Sequence, residues 1–175
     1  MRVLTTDPPP AEVETLLERR RKLGTDLLDE IWEGVIHMNP APRPRHGLLV
    51  VQLTGALIAP AAAARLEVID IFNLGEPDDF RIPDAGLITP GAEAVFLDTA
   101  ALVIEVLSPG DETWEKLPFY AAHNVDEVLI ADPDERTLTW LALTGGEYHP
   151  VQQSALIDLC PARLTELISW PAAGA

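Results

Sequence analysis

Apolar residues near the start of the chain recur at helical spacing. Val13, Leu16, Leu17 and Leu23 predict a helix over 11–23, and Gly24 supplies the stop. Residues 30–38 alternate around Trp32 and Gly34, which predicts a strand, or a hairpin turning at Glu33-Gly34, before the break at Asn39-Pro40. Leu49, Leu53, Leu57 and Ala61 recur every fourth residue, so a long apolar helix is expected over about 45–64. Short strands are expected at 66–72 and 80–82. Residues 100–107 have almost no polar alternation, the mark of a central strand covered on both faces. Ser108-Pro109 then reads as a helix start, with a capping Ser and a first-turn Pro, and that helix is expected to end near His123-Asn124. Strands at 127–131, 138–143 and 148–152, separated by turns at Asp132-Pro133 and Gly145-Gly146, and a short helix at 164–170 complete the order. The alternation of helices and strands predicts an α/β fold, a mixed sheet flanked by helices.

Size and composition fit a single domain. The chain has 175 residues, 47% of them apolar, enough for a full core. Residues 1–10 are expected to form a flexible tail leading through Pro8-Pro9-Pro10 into a domain over 11–175. The apolar stretch at 48–64 is interrupted by Gln52, Thr54, Gly55 and Pro60, so no membrane span is expected. The N-terminus has no apolar signal region, and a cytoplasmic location is the default expectation. Cys160 is the only cysteine, which excludes a disulfide framework or a zinc–thiolate site within one chain.

Charge pulls against one class of partner. Twelve Lys and Arg against 28 Asp and Glu give a net charge of −16. Nucleic-acid binders usually carry a basic footprint, and an acidic chain lacks the counterion-release drive for DNA binding. The run Arg19-Arg20-Arg21-Lys22 lies in the last turn of the first helix, where it pairs with the helix dipole or, alternatively, contacts phosphate.

Two acids and a lysine are the candidate chemistry. Asp84 follows Pro83, where a short strand finishes or lies at an edge, because Pro cannot donate to a ladder. Glu105 is the one acid inside the apolar run 102–107. A buried carboxylate requires either an ion-pair partner, for which Lys116 is a candidate, or a metal ion. Magnesium takes one or two carboxylates and keeps several waters, a demand that Asp84 and Glu105 meet. Lys116, 11 residues after Glu105, is either a solvated surface lysine or an ammonium that orients water and stabilises charge on phosphorus. The same two acids could form a glycosidase acid/base pair, but aromatic residues are only 6% and nothing else suggests a sugar site. His37 and His46 lie nine residues apart across a Pro-rich break, a poor metal pair. No nucleophile elbow or Walker loop is present. Trp114, Trp140 and Trp170 are expected in the core or an interface.

The succession of Glu30, Gly34, a Pro-rich loop and His46, then Pro83-Asp84, Ile104-Glu105-Val106-Leu107-Ser108-Pro109, Glu115-Lys116-Leu117-Pro118-Phe119-Tyr120, His123-Asn124-Val125-Asp126-Glu127 and Asp132-Pro133 resembles the Uma-type restriction endonucleases, a branch of the PD-(D/E)XK nuclease superfamily. The resemblance covers roughly residues 11–150. It implies a restriction-endonuclease-like core, with Asp84 and Glu105 as ligands of Mg²⁺ or Mn²⁺. In the superfamily's simplest pattern the lysine stands two residues after the second acid; here that position is Leu107, and the resemblance passes the role to Lys116. Glu30 matches an acid that completes such sites, and His46 matches a further site-lining position, although a His at a helix start also serves as a cap. Asp111, Glu112 and Glu115 make the stretch before Lys116 acidic where relatives often carry arginine. The implied activity is metal-dependent hydrolysis of nucleic acid, DNA first, by a homodimer sharing a sheet edge at 138–143. The alternative is a catalytically silent dimeric binding or regulatory module on the same fold.

Overall fold

Five consecutive buried residues, Leu102 to Val106, run through the middle of the molecule as strand β9, so the near-continuous apolar pattern does mark a strand covered on both faces. The computed structural model describes residues 2–3, 10–110 and 112–171. In chain order its elements are β1 (Arg2–Val3), α1 (Ala11–Leu23), β2 (Glu30–Trp32), β3 (Val35–His37), α2 (Pro44–Ala63), β4 (Glu67–Ile69), β5 (Asn73–Glu76), β6 (Asp79–Arg81), β7 (Ala85–Ile88), β8 (Phe96–Leu97), β9 (Leu102–Val106), α3 (Thr113–Ala122), β10 (Glu127–Asp132), β11 (Thr137–Thr144), β12 (Glu147–Pro150) and α4 (Pro161–Leu167).

The strands form two mixed sheets rather than one. The first has the order β1-β3-β2-β6-β5-β8 and the second β12-β11-β10-β9-β7-β4. In the second sheet β9 and β10 run parallel, while β7 and β9 are antiparallel. Side-chain alternation then divides the core. Leu102, Ile104 and Val106 of β9 join Leu49, Leu53, Leu57 and Ala61 of α2 in one cluster. Val103, Val128 and Ile130 face the other way, into a cluster with Leu74 and Leu97 of the first sheet and Tyr120 of α3. Glu105 has the parity of Val103, which turns it toward α3.

Several local expectations need correction. Arg2–Val3, within the stretch expected as a tail, pairs with β3; residues 1 and 4–9 lie outside the described residues. Strands β5, β7 and β8 were not expected, because they are short and Gly-interrupted or flanked by polar turns. Helix α3 starts at Thr113 with Glu112 as its N-cap, not at Ser108, and Asp111 lies outside the described residues. Strand β11 cannot be a sheet edge, since it lies between β10 and β12. Among the described residues, α2 is the one helix long and apolar enough to cross a membrane, with mean hydropathy 1.5. Its interruptions are tolerated inside the helix, and its Leu49-Leu53-Leu57-Ala61 stripe is sealed against the sheet. Trp140 is core, but Trp114 is exposed.

Candidate active site

The site begins with a hairpin. Glu33 and Gly34 both have positive φ, 49° and 79°, the twist that a two-residue hairpin turn requires. That turn pairs β2 with β3, placing Glu30 opposite His37. Glu30 is 1% exposed. Its Oε1 accepts the Ile82 amide at 2.8 Å and lies 2.9 Å from Lys116 Nζ, while its Oε2 accepts the Trp32 indole N–H at 2.7 Å. Trp32 stands two residues from Glu30 on the same strand face, which is how its ring reaches back.

Asp84 immediately precedes β7. Gly86 lets that strand approach β9, because a Cβ there would meet Leu102 O at 2.7 Å and the Phe72 ring at 2.9 Å. The approach brings Asp84 Oδ2 within 2.7 Å of the Val106 amide, which donates to it. His46 Nε2 lies 3.1 Å from the same oxygen. His46 stands in the first turn of α2, which Pro44 opens at the first helical position. Its side chain is turned onto Asp84 rather than onto the helix end.

Glu105 is 4% exposed and Lys116 8%. Lys116 Nζ donates to Glu105 Oε1 at 3.1 Å, and the Tyr120 hydroxyl donates to the same oxygen. Lys116 and Tyr120 are four residues apart on α3, hence one turn apart on one face. Lys116 is therefore not a solvated surface lysine; its ammonium bridges two buried acids from different sheets. Burial pushes the Glu105 carboxyl up to about 8; Lys116 opposes this, Asp84 adds to it, the Tyr120 hydrogen bond opposes it and Glu30 adds to it. For Lys116, burial favours the neutral amine, but Glu105 and Glu30 outweigh it and hold the proton above the ordinary lysine range. Burial, and then the negative charge of Glu105, push the Tyr120 phenol well above its ordinary value, so it stays a donor.

All five residues singled out in the sequence, Glu30, His46, Asp84, Glu105 and Lys116, thus belong to two linked clusters, Glu30–Lys116–Glu105–Tyr120 and His46–Asp84. Asp84 joins them through the Val106 amide and through its charge acting on Glu105. Tyr120 and Trp32 were missed. The signal for Tyr120 was its i+4 spacing from Lys116; for Trp32 it was the i+2 spacing from Glu30. Among the described residues, no three His, Cys, Asp or Glu side chains gather into a group that could hold a metal ion. Two carboxylates are nevertheless the donor set that magnesium takes from proteins, with water filling the remaining positions. Glu105 Oε2 and Asp84 Oδ1 accept no hydrogen bond from the described residues, so each acid keeps one oxygen in reserve. Both oxygens of Glu30 are occupied by protein donors, which suits it to hold the Lys116 ammonium rather than a metal ion.

Around this centre, Arg81 is 5% exposed. Its guanidinium sits between the Trp32 ring at 4.4 Å and the Phe119 ring at 3.9 Å, and donates to Ile31 O at 2.9 Å. His37 stacks on Trp32, and its Nδ1 lies 2.7 Å from Glu112 Oε2. This stack ties the hairpin to the start of α3. It also holds Arg81 inside the protein, away from solvent.

A family model, described as Uma2, putative restriction endonuclease, matches residues 13–167. The chain belongs to the Uma2 family. Among solved structures, it is similar to a putative nuclease belonging to DUF820 from Anabaena variabilis ATCC 29413, with a TM-score of 0.61 and 17% identity. That likeness covers 79% of this chain and 90% of the other, and it shows the shared fold. No curated protein matches the chain. Uma2 membership makes the α/β architecture that of a nuclease-type fold and a nuclease-type activity the family expectation.

Proposed function

We propose that this Uma2 chain is a metal-dependent endonuclease that hydrolyses phosphodiester bonds of nucleic acid, DNA first. The observation that carries this reading is the Lys116 ammonium, buried between Glu30 and Glu105 at 2.9 and 3.1 Å, with a third acid, Asp84, close enough to act on Glu105. Asp84 and Glu105 are the residues that would hold Mg²⁺ or Mn²⁺. When bound, the cation supplies Lewis acidity and neutralises the phosphate. The chain's own groups do the rest. Lys116 keeps its proton, so it acts as a fixed positive charge that orients the attacking water and offsets charge building on the phosphoryl oxygens. Glu30 fixes the ammonium in place. Tyr120 holds the Glu105 carboxylate by Oε1, leaving Oε2 without a protein donor among the described residues. His46 and the Val106 amide hold Asp84 in the same way. Water adds to phosphorus, the P–O ester bond breaks, and the departing oxygen takes up a proton.

Alanine at Asp84 or Glu105 is expected to abolish Mg²⁺-dependent cleavage of plasmid and single-stranded DNA while circular dichroism remains native. Cleavage that survives either change removes the assignment. The charge of −16 favours a second reading, a silent binding or regulatory module on the same fold. The absence of turnover in both Mg²⁺ and Mn²⁺, from low to moderate salt, would select it. If two copies pair through a sheet edge, we expect β12 rather than β11 to form the contact, because β12 ends the second sheet.

A further inference from the structure

One small cleft beside the site is lined by arginines. Arg43, Arg45, His46, Ser108 and Asp134 form its polar walls, with Leu107, Pro109 and Pro133 behind them. It opens where the parallel strands β9 and β10 end, at their carboxyl ends, which is where ligands of α/β sheets collect. It shares His46 with the Asp84 cluster, so a group in it lies next to the candidate reaction centre.

Four of the other basic side chains are already engaged within the protein. Arg20 is bound to Asp29, Arg163 to Glu166, Arg81 is stacked between two rings, and Lys116 is buried between two acids. The Arg43 side chain makes no ion pair among the described residues and is exposed. Arg45 Nη2 pairs with Asp134 Oδ1 at 2.6 Å, and that aspartate side chain is 60% exposed. An exposed pair of this kind is weak and exchangeable. A planar guanidinium held by an exposed carboxylate can equally be held by a phosphate, which offers the same pair of acceptor oxygens.

We propose that this cleft is a subsite for nucleic-acid backbone phosphates, which Arg43 and Arg45 engage and which Asp134 occludes in the free protein by occupying Arg45. The proposal rests on the nuclease reading only for the identity of the neighbouring bond that is cut. It also resolves the acidic net charge. Within the cleft two arginines meet two phosphates, so binding there is short, local and only mildly salt-dependent.

The test is fluorescence anisotropy with a short single-stranded DNA, the matching RNA and a short duplex, all in EDTA so that nothing is cut. Two phosphate contacts give a slope of log K against log salt of about −1.4 for single strands and about −1.8 for duplex DNA, a loss of about 7- to 12-fold between 50 and 200 mM salt. Arg43→Ala/Arg45→Ala is expected to weaken binding and flatten that slope to near zero. Asp134→Asn, which frees Arg45, is expected to tighten binding about two- to fivefold. All these side chains are on the surface, so the variants should melt like the parent. A slope unchanged in the double variant overturns the subsite, as does the absence of measurable binding to all three probes, or an Asp134→Asn chain that binds no tighter. Cleavage that persists alongside an unchanged slope removes the subsite and leaves the nuclease reading standing. Arginine-dependent binding without cleavage does the reverse.

Discussion

Replacing Glu105 with Gln should make the metal-free chain more stable in alkaline buffer while destroying the proposed catalytic site. The ordinary value for this carboxyl is 4.5, and burial raises it to about 8 in the fold. Between those values the unfolded chain has lost the proton and the folded chain still holds it. The stability linked to this proton is therefore fully present below about pH 4.5, falls as pH rises through the window, and levels off above about pH 8. The rise corresponds to roughly 5 kcal/mol once both states are ionised, and to about 3 kcal/mol at pH 7. Gln keeps an acceptor for Lys116 and Tyr120 but has no proton to lose. Urea unfolding of both chains in EDTA, from pH 5 to pH 9, isolates the effect, because other titrating groups are common to both. The two curves should converge near pH 5 and separate progressively, with Glu105→Gln the more stable at pH 8.5. Millimolar Mg²⁺ should restore much of the parent's stability at pH 8.5 and none of the variant's. Parallel curves across the whole range would refute the placement of Glu105 as a buried, proton-holding acid.

Three other outcomes follow from the same geometry. Lys116→Met strands Glu30 and Glu105 without their cation and should cost about 3–5 kcal/mol in urea unfolding at pH 8, besides abolishing cleavage. Tyr120→Phe removes a hydrogen bond that favours ionised Glu105, so the acid limb of any pH–rate profile should move to higher pH, with a stability loss of about 1–3 kcal/mol. Glu127→Ala leaves the Trp140 indole, the Ser154 hydroxyl and the Ala155 amide without their shared acceptor, at 2.8, 2.6 and 2.7 Å in the parent, and should cost about 3 kcal/mol or more by thermal melt while leaving the site residues in place.

The strongest patterns in the sequence were those that the core uses directly. The i+4 row of α2 and the unbroken run of β9 are visible because burial selects apolar residues at a fixed period. Glu105 was legible for the opposite reason, as the acid that breaks such a run. Strands β5, β7 and β8 were not legible, since two to four residues cannot display a period and their place is set by neighbours distant in the chain. The start of α3 was misread because Ser108-Pro109 has cap chemistry but the backbone turns through Gly110 first, with positive φ. The two sheets could not be told from one, because sheet membership depends on pairings such as β5 with β8, whose partners Asn73 and Phe96, and Leu74 and Leu97, are 23 residues apart in sequence. The aromatic rings that hold Arg81 come from β2 and α3, and no local pattern announces that meeting.

The clasp on Glu105 Oε1 has an evolutionary corollary. Lys116 and Tyr120 reach that oxygen from helix α3, which begins at Thr113, after β9 has ended at Val106. On the proposed mechanism, what counts is the location of the ammonium in space, not its address along the backbone. Lengthening the turn at Gly110 by a residue can be absorbed by the loop, whereas inserting one between Lys116 and Tyr120 rotates the two groups by about 100° relative to each other and uncouples them. On the proposed mechanism, the feature to compare between proteins is a cation bridging two strand-borne acids, not an interval between residues.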